Sequence, residues 1–142
     1  MAAYSIDKCI RVLLIDDDED ESLIFETALE ELDYNIDFSF YPDSTVAVSK
    51  LKNTCQTPDF VFLDWNMPKM SGKDCLTAIR ELPGYNSVRV IMYTTSNAAV
   101  DKSEARRMGA SYFLNKPITV SELARELNII FSSDWQVNQK LY

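Results

Sequence analysis

LLIDDDEDE, residues 13–21, carries an apolar run directly into six consecutive acids, Asp16 to Glu21. Followed back to Val12, the run is apolar on both faces, as expected of a strand in a parallel sheet whose two sides are covered by helices. The acids that follow divide into two groups. Asp18 stands where a helix N-cap belongs, and Glu19, Asp20 and Glu21 fall in the first turn of a helix expected over 20–32. Each gains roughly 0.3–1 kcal/mol there from the positive end of the macrodipole. Asp16 and Asp17 end the strand itself, and helix capping does not account for them.

The same alternation continues outward. Strands are expected near 10–15, 36–41, 59–63, 88–93 and 111–115, with helices near 20–32, 43–52, 72–82, 98–108 and 119–131. FVFL (60–63) and VRVIMY (88–93) are also apolar on both faces or nearly so. Leu23, Ile24, Ala28, Leu29 and Leu32 form the expected apolar stripe of the first helix, and Leu123, Leu127, Ile130 and Phe131 that of the last. Asp43 or Ser44 caps the second helix, and Thr119 with Glu122 has capping-box spacing. Gly72 and Gly109 mark a helix start and a helix end. The expected architecture is a doubly wound α/β sandwich.

A chain of 142 residues, 46% hydrophobic and 25% charged, fits one domain with a sizeable core. Its net charge of −8 argues against a nucleic-acid surface, which needs clustered Lys and Arg. The longest apolar runs fall far below the roughly 20 residues of a membrane helix, and the N-terminus lacks a signal-peptide pattern, so a cytoplasmic location is expected. Cys9, Cys55 and Cys75 have no CxxC spacing and read as reduced thiols. Histidine is absent, which excludes Ser-His-Asp and Cys-His catalysis and His-ligated zinc within the chain.

In an open α/β sheet the binding crevice lies beyond the carboxyl ends of the strands. Asp16 and Asp17 end the first strand, Asp64 the third and Thr94 the fourth, and Lys116 follows the fifth. If the first and third strands are neighbours, three carboxylates converge. Mutual repulsion would oppose their ionisation, and a bound Mg²⁺ would offset it. A carboxylate with a free oxygen then becomes a nucleophile toward a phosphoryl group, with a lysine and a hydroxyl to stabilise charge.

LLIDDDED (13–20), FVFLDWNMPKMSG (60–72), VIMYTTS (90–96) and FLNKP (113–117) together resemble the signatures of a response-regulator receiver domain, over about residues 8–131. DWNMP at 64–68 is similar to the single-domain chemotaxis type, as are the intervals of 30 residues from Asp64 to Thr94 and 22 from Thr94 to Lys116. The resemblance implies a flavodoxin-like (βα)5 fold with a five-stranded parallel sheet in the order 2-1-3-4-5. It makes 1–131 the receiver domain and 132–142 a C-terminal extension, with no separate output domain.

By the same resemblance Asp64 is the phosphoacceptor. Asp16, Asp17, Asp64 and the backbone carbonyl of Asn66 bind Mg²⁺, Thr94 bonds the phosphoryl group, and Lys116 pairs with it. Thr95 competes for the hydroxyl role, and only spacing favours Thr94. Phe113 stands at the rotating aromatic position, where tyrosine is common, and reads alternatively as a core aromatic. Asn66 and Ser96 occupy positions that tune dephosphorylation. The Lys116-Pro117 bond is expected to be cis. Ser71 replaces a frequent aspartate.

The implied donor is a histidine kinase or phosphotransfer protein. The implied target is a protein contacted through the fourth helix, fifth strand and fifth helix, with the chain a monomer or a phosphorylation-dependent dimer. Trp135, Val137, Leu141 and Tyr142 extend the last helix, cover the domain's flank or dock a partner, self-packing being favoured. Two alternatives stand beside the phosphoacceptor: a receiver-fold adaptor acting without phosphorylation, and a haloacid-dehalogenase-type phosphatase built on Asp16 and Asp18.

Overall fold

The fold was obtained as a computed structural model, in which residues 8–95 and 99–135 are described. Among them strands and helices alternate: β1 (Cys9–Ile15), α1 (Glu19–Glu30), β2 (Asn35–Tyr41), α2 (Ser44–Asn53), β3 (Phe60–Leu63), α3 (Gly72–Arg80), β4 (Arg89–Thr94), α4 (Ala99–Arg107), β5 (Tyr112–Asn115) and α5 (Val120–Ser132). The five strands are parallel and ordered β2-β1-β3-β4-β5, the flavodoxin-like receiver arrangement. Order reverses between β1 and β3, so the crevice opens above their carboxyl ends.

Side chains on successive strand positions go to opposite faces. Val12, Leu14, Phe60, Phe62, Ile91 and Tyr93 pack under α1 and α5, while Leu13, Ile15, Val61, Leu63, Val90 and Met92 pack with residues of α2, α3 and α4. Every residue of β3 is buried, which is why FVFL shows no polar alternation.

The caps follow the sequence. Asp18 accepts from the Asp20 amide at 3.0 Å, Asp43 from Thr45 at 2.9 Å, Ser71 from Asp74 at 3.2 Å and Thr119 from Glu122 at 3.1 Å. Ser44, the alternative cap for α2, is buried, and its hydroxyl donates to the Met70 carbonyl at 2.7 Å. Gly109 turns the chain out of α4 at φ 105°, a conformation that costs glycine little.

The stripe of α1 differs from expectation. Leu23 and Ile24 are 68% and 39% exposed, and the buried residues are Phe25, Ala28 and Leu29. Stacking of Phe25 on Phe38 and its edge contacts with Phe62 and Tyr93 set the rotation of the helix. The stripe of α5 is as expected, with Leu123, Leu127, Ile130 and Phe131 all buried. Beyond α5 the chain folds back, so that Trp135 lies edge-on to Phe60 at 5.8 Å and donates its indole N–H to the Ile130 carbonyl. Trp135 is therefore self-packed; Val137, Leu141 and Tyr142 lie outside the described residues.

Candidate functional site

The first strand delivers Asp16 and Asp17 to the crevice. Asp16 is fully buried, and its backbone amide donates to the Tyr41 carbonyl at 3.3 Å. Its Oδ1 accepts from the Asp18 amide at 3.0 Å, which turns the chain toward α1 and leaves Asp17 exposed. Asp18 is occupied in capping α1, so the Asp16–Asp18 pair required by the phosphatase alternative is not assembled.

The third strand delivers Asp64, whose amide donates to the Ile15 carbonyl at 3.0 Å and whose side chain is 7% exposed. Carboxylate oxygens of Asp16, Asp17 and Asp64 all lie within 4.8 Å of one another. Burial first, and the Asp16 charge second, push the Asp64 carboxyl up to about 6, against the lowering effect of Lys116. Burial likewise raises Asp16, opposed chiefly by its bond to Lys116. A hard divalent cation suits this set of clustered, hard oxygen donors.

The loop after Asp64 is held on both sides. Gly72 donates to the Trp65 carbonyl at 3.0 Å, and a Cβ on Gly72 would stand 2.1 Å from the Asp64 carbonyl oxygen. Lys69 takes a left-handed conformation, φ 65°, and its ammonium lies 3.3 Å from Asp43 at the start of α2. Asn66 is exposed, and its amide faces Asp64 Oδ1 at 3.5 Å.

Lys116 reaches the site from the end of β5. Its ammonium lies 2.7 Å from Asp16 Oδ2, 3.8 Å from Glu21 Oε1 and 5.4 Å from the Tyr93 ring centroid. Burial alone would lower this ammonium, but the bond to Asp16 and the charges of Asp16, Asp64 and Glu21 hold it above its ordinary range. The expected cis bond is not present: no peptide among the described residues is cis, and Lys116–Pro117 is trans. Trans is intrinsically favoured by about 0.5–1 kcal/mol for X-Pro, and the lysine meets Asp16 without leaving it.

Thr94 is fully buried at the end of β4, where its carbonyl accepts from the Lys116 amide at 2.8 Å, whereas Thr95 is exposed. Phe113 is buried among Met92, Ala105 and Ala110 on the α4 side of the sheet. Ser96 lies outside the described residues.

Two site residues were not singled out in the sequence. Glu21, assigned there only to the first turn of α1, points inward. The Tyr93 hydroxyl donates to its Oε2 at 3.2 Å while Oε1 faces Lys116. Glu21 shares the inward stripe of Phe25 and Ala28, but helical spacing reveals this only once the rotation of α1 is known.

The model of the response regulator receiver domain matches residues 12–128. The chain is 31% identical over 126 residues to chemotaxis protein CheY-3 of Vibrio cholerae, covering 89% of this chain and 95% of that one. It is also 31% identical over 136 residues to the 3',5'-cyclic-nucleotide phosphodiesterase regA of Dictyostelium discoideum, covering 94% of this chain but 16% of that protein. Among solved structures, chemotaxis protein CheY4 of Vibrio cholerae superposes with a TM-score of 0.71 at 26% identity, over 85% of this chain and 98% of that one. No helix among the described residues is long and apolar enough to cross a membrane.

Proposed function

Because the chain belongs to the response regulator receiver family, we propose that it is a phosphoacceptor switch, in which Asp64 takes a phosphoryl group from a phosphohistidine on a histidine kinase or phosphotransfer protein. The observation that carries this is the buried Asp64 carboxylate beside Asp16 and Asp17, with the Lys116 ammonium on Oδ2 of Asp16. Asp16, Asp17, Asp64 and the backbone carbonyl of Asn66 would hold Mg²⁺, which neutralises the cluster and polarises the phosphoryl oxygens when bound.

An Asp64 oxygen forms the new P–O bond as the P–N bond of the phosphoimidazole breaks. The electron pair returns to the imidazole nitrogen, which takes up a proton. The chain contributes no histidine, so the donor is a second protein. Lys116 then moves its charge toward the phosphoryl oxygens, and the Thr94 hydroxyl bonds one of them. That displacement alters the face of α4, β5 and α5, through which a downstream protein is engaged. Phe113 has no hydroxyl, so packing alone stabilises its inward position, and Asn66 with Ser96 sets the lifetime of the acyl phosphate. The protein acts in the cytoplasm, as a monomer or a phosphorylation-dependent dimer, without nucleic acid or membrane.

The test is intact-protein mass after incubation with acetyl phosphate, with and without Mg²⁺. One Mg²⁺-dependent phosphoryl adduct is expected on the wild type and none on Asp64→Asn. No adduct under conditions that preserve acyl phosphates overturns the proposal in favour of an adaptor; steady turnover of phosphomonoesters overturns it in favour of a phosphatase.

A further inference from the structure

Lys116 is held at the acceptor site from the α1 side. Its nearest carboxylate oxygen belongs to Asp16 at 2.7 Å and the next to Glu21 at 3.8 Å, and no ion pair with Asp64 is formed within 4 Å. The lysine side chain is 11% exposed and that of Glu21 16%, so the contact is shielded from water and salt. Tyr93 completes the enclosure, its ring facing the ammonium at 5.4 Å and its hydroxyl bonding the other Glu21 oxygen at 3.2 Å. Tyr93 directly precedes Thr94 on β4.

We propose that Glu21, oriented by Tyr93, is a positioning residue that retains the Lys116 ammonium on the Asp16 side of the site and so opposes its transfer to a phosphoryl group on Asp64. Two carboxylates compete with the incoming phosphoryl oxygens for one cation, and Asp16 alone is committed to the metal-binding cluster. Glu21 is the competitor outside that cluster, and its charge sets the balance between the two lysine positions. Because Tyr93 is anchored to the same carboxylate, the bracket links α1 to the strand that ends in Thr94.

This rests on the phosphoacceptor proposal, and its test separates the two. The probe is fluoroberyllate, which bonds a carboxylate oxygen as a tetrahedral phosphoryl mimic, titrated with Mg²⁺ present and read by fluorine NMR. Glu21→Gln removes the charge but keeps an oxygen able to accept from Tyr93, so the shape of the bracket survives. Affinity is expected to rise three- to tenfold. The same substitution in a Lys116→Met background is expected to change affinity less than twofold, because the effect acts through the lysine. An equal gain in both backgrounds would mean that Glu21 merely repels anions, and no gain in either would also overturn the proposal.

A second measurement needs no fluoroberyllate and decides the matter if Lys116→Met cannot bind it. The Lys116 ε-methylene protons, on the carbon bonded to an ammonium that lies 5.4 Å from the Tyr93 ring centroid, should carry a ring-current shift in the wild type that Glu21→Gln reduces. Retention of that shift overturns the bracket. A ring-current change on Glu21→Gln in a protein whose wild type binds no fluoroberyllate overturns the phosphoacceptor proposal instead.

Discussion

At Gly72 the loop after Asp64 touches the first turn of α3 so closely that a methyl group has no room. Its Cβ would meet the Asp64 carbonyl oxygen at 2.1 Å and the Trp65 Cα at 2.6 Å, both backbone atoms that cannot swing aside. Gly72→Ala is expected to cost more than about 2 kcal/mol in urea unfolding and to weaken Mg²⁺ binding, since relief requires moving the carbonyl that precedes the loop. Asp64 itself is a source of instability when ionised without a cation. Its carboxyl is held up at about 6, against an ordinary value of 3.8, by burial and by Asp16. The folded state therefore binds this proton more tightly than the unfolded chain, and the group's contribution favours folding below about pH 4 and is lost as pH rises toward 6. Asp64→Asn is expected to add about 1–2 kcal/mol at pH 7 without Mg²⁺, after discounting for screening on the open Asp17 side, and to flatten that pH slope in thermal melts.

At the scale of elements, the α3, β4 and β5 segments are tied by one cation. The Arg80 guanidinium, at the end of α3, donates to the Gly109 carbonyl at 2.8 and 3.0 Å, to Tyr85 at 2.8 Å and to Val88 at 2.7 Å. Arg80→Met should cost about 2–4 kcal/mol in urea unfolding by leaving those carbonyls without their donor, and Arg80→Lys should recover only part, because an ammonium lacks the planar fork. The sequence shows little of this, since Arg80 reads as an ordinary cation in a last helical turn. Type and order of the elements were more legible: FVFL has no polar alternation, and Asp43 and Thr119 announce their helices. The rotation of α1 was not legible. Leu23 and Ile24 are apolar but outward, Phe25 is inward because aromatic partners await it on β2, β3 and β4, and Glu21 is inward because Lys116 and Tyr93 do. Local hydrophobic periodicity contains none of those partners. The convergence of Asp16, Asp17 and Asp64, by contrast, was legible from strand-end acids, because β1 and β3 are neighbours.

At the scale of the molecule, the core continues past α5. Trp135 closes the amino end of the sheet against Phe60, with the Arg89 guanidinium over both rings at 5.3 and 5.7 Å. Trp135→Ala should cost about 3 kcal/mol in thermal or urea unfolding, through lost burial and the vacated cation site, while leaving the proposed phosphoryl acceptance at the opposite end intact. A receiver unit cut after residue 131 should be weakened to the same degree.

Strand β3 therefore has an indole near each end: Trp65 immediately after Asp64, Trp135 against the strand's first residue. The four residues of β3, at about 3.3 Å each, span a little over a nanometre; the two indoles pack in the clusters on opposite faces of the sheet, and the chain has no other tryptophan. Replacing one at a time by phenylalanine turns the protein into a pair of single-emitter probes. The emission of one reports events at the carboxyl ends of the strands, and that of the other reports melting of the whole sheet.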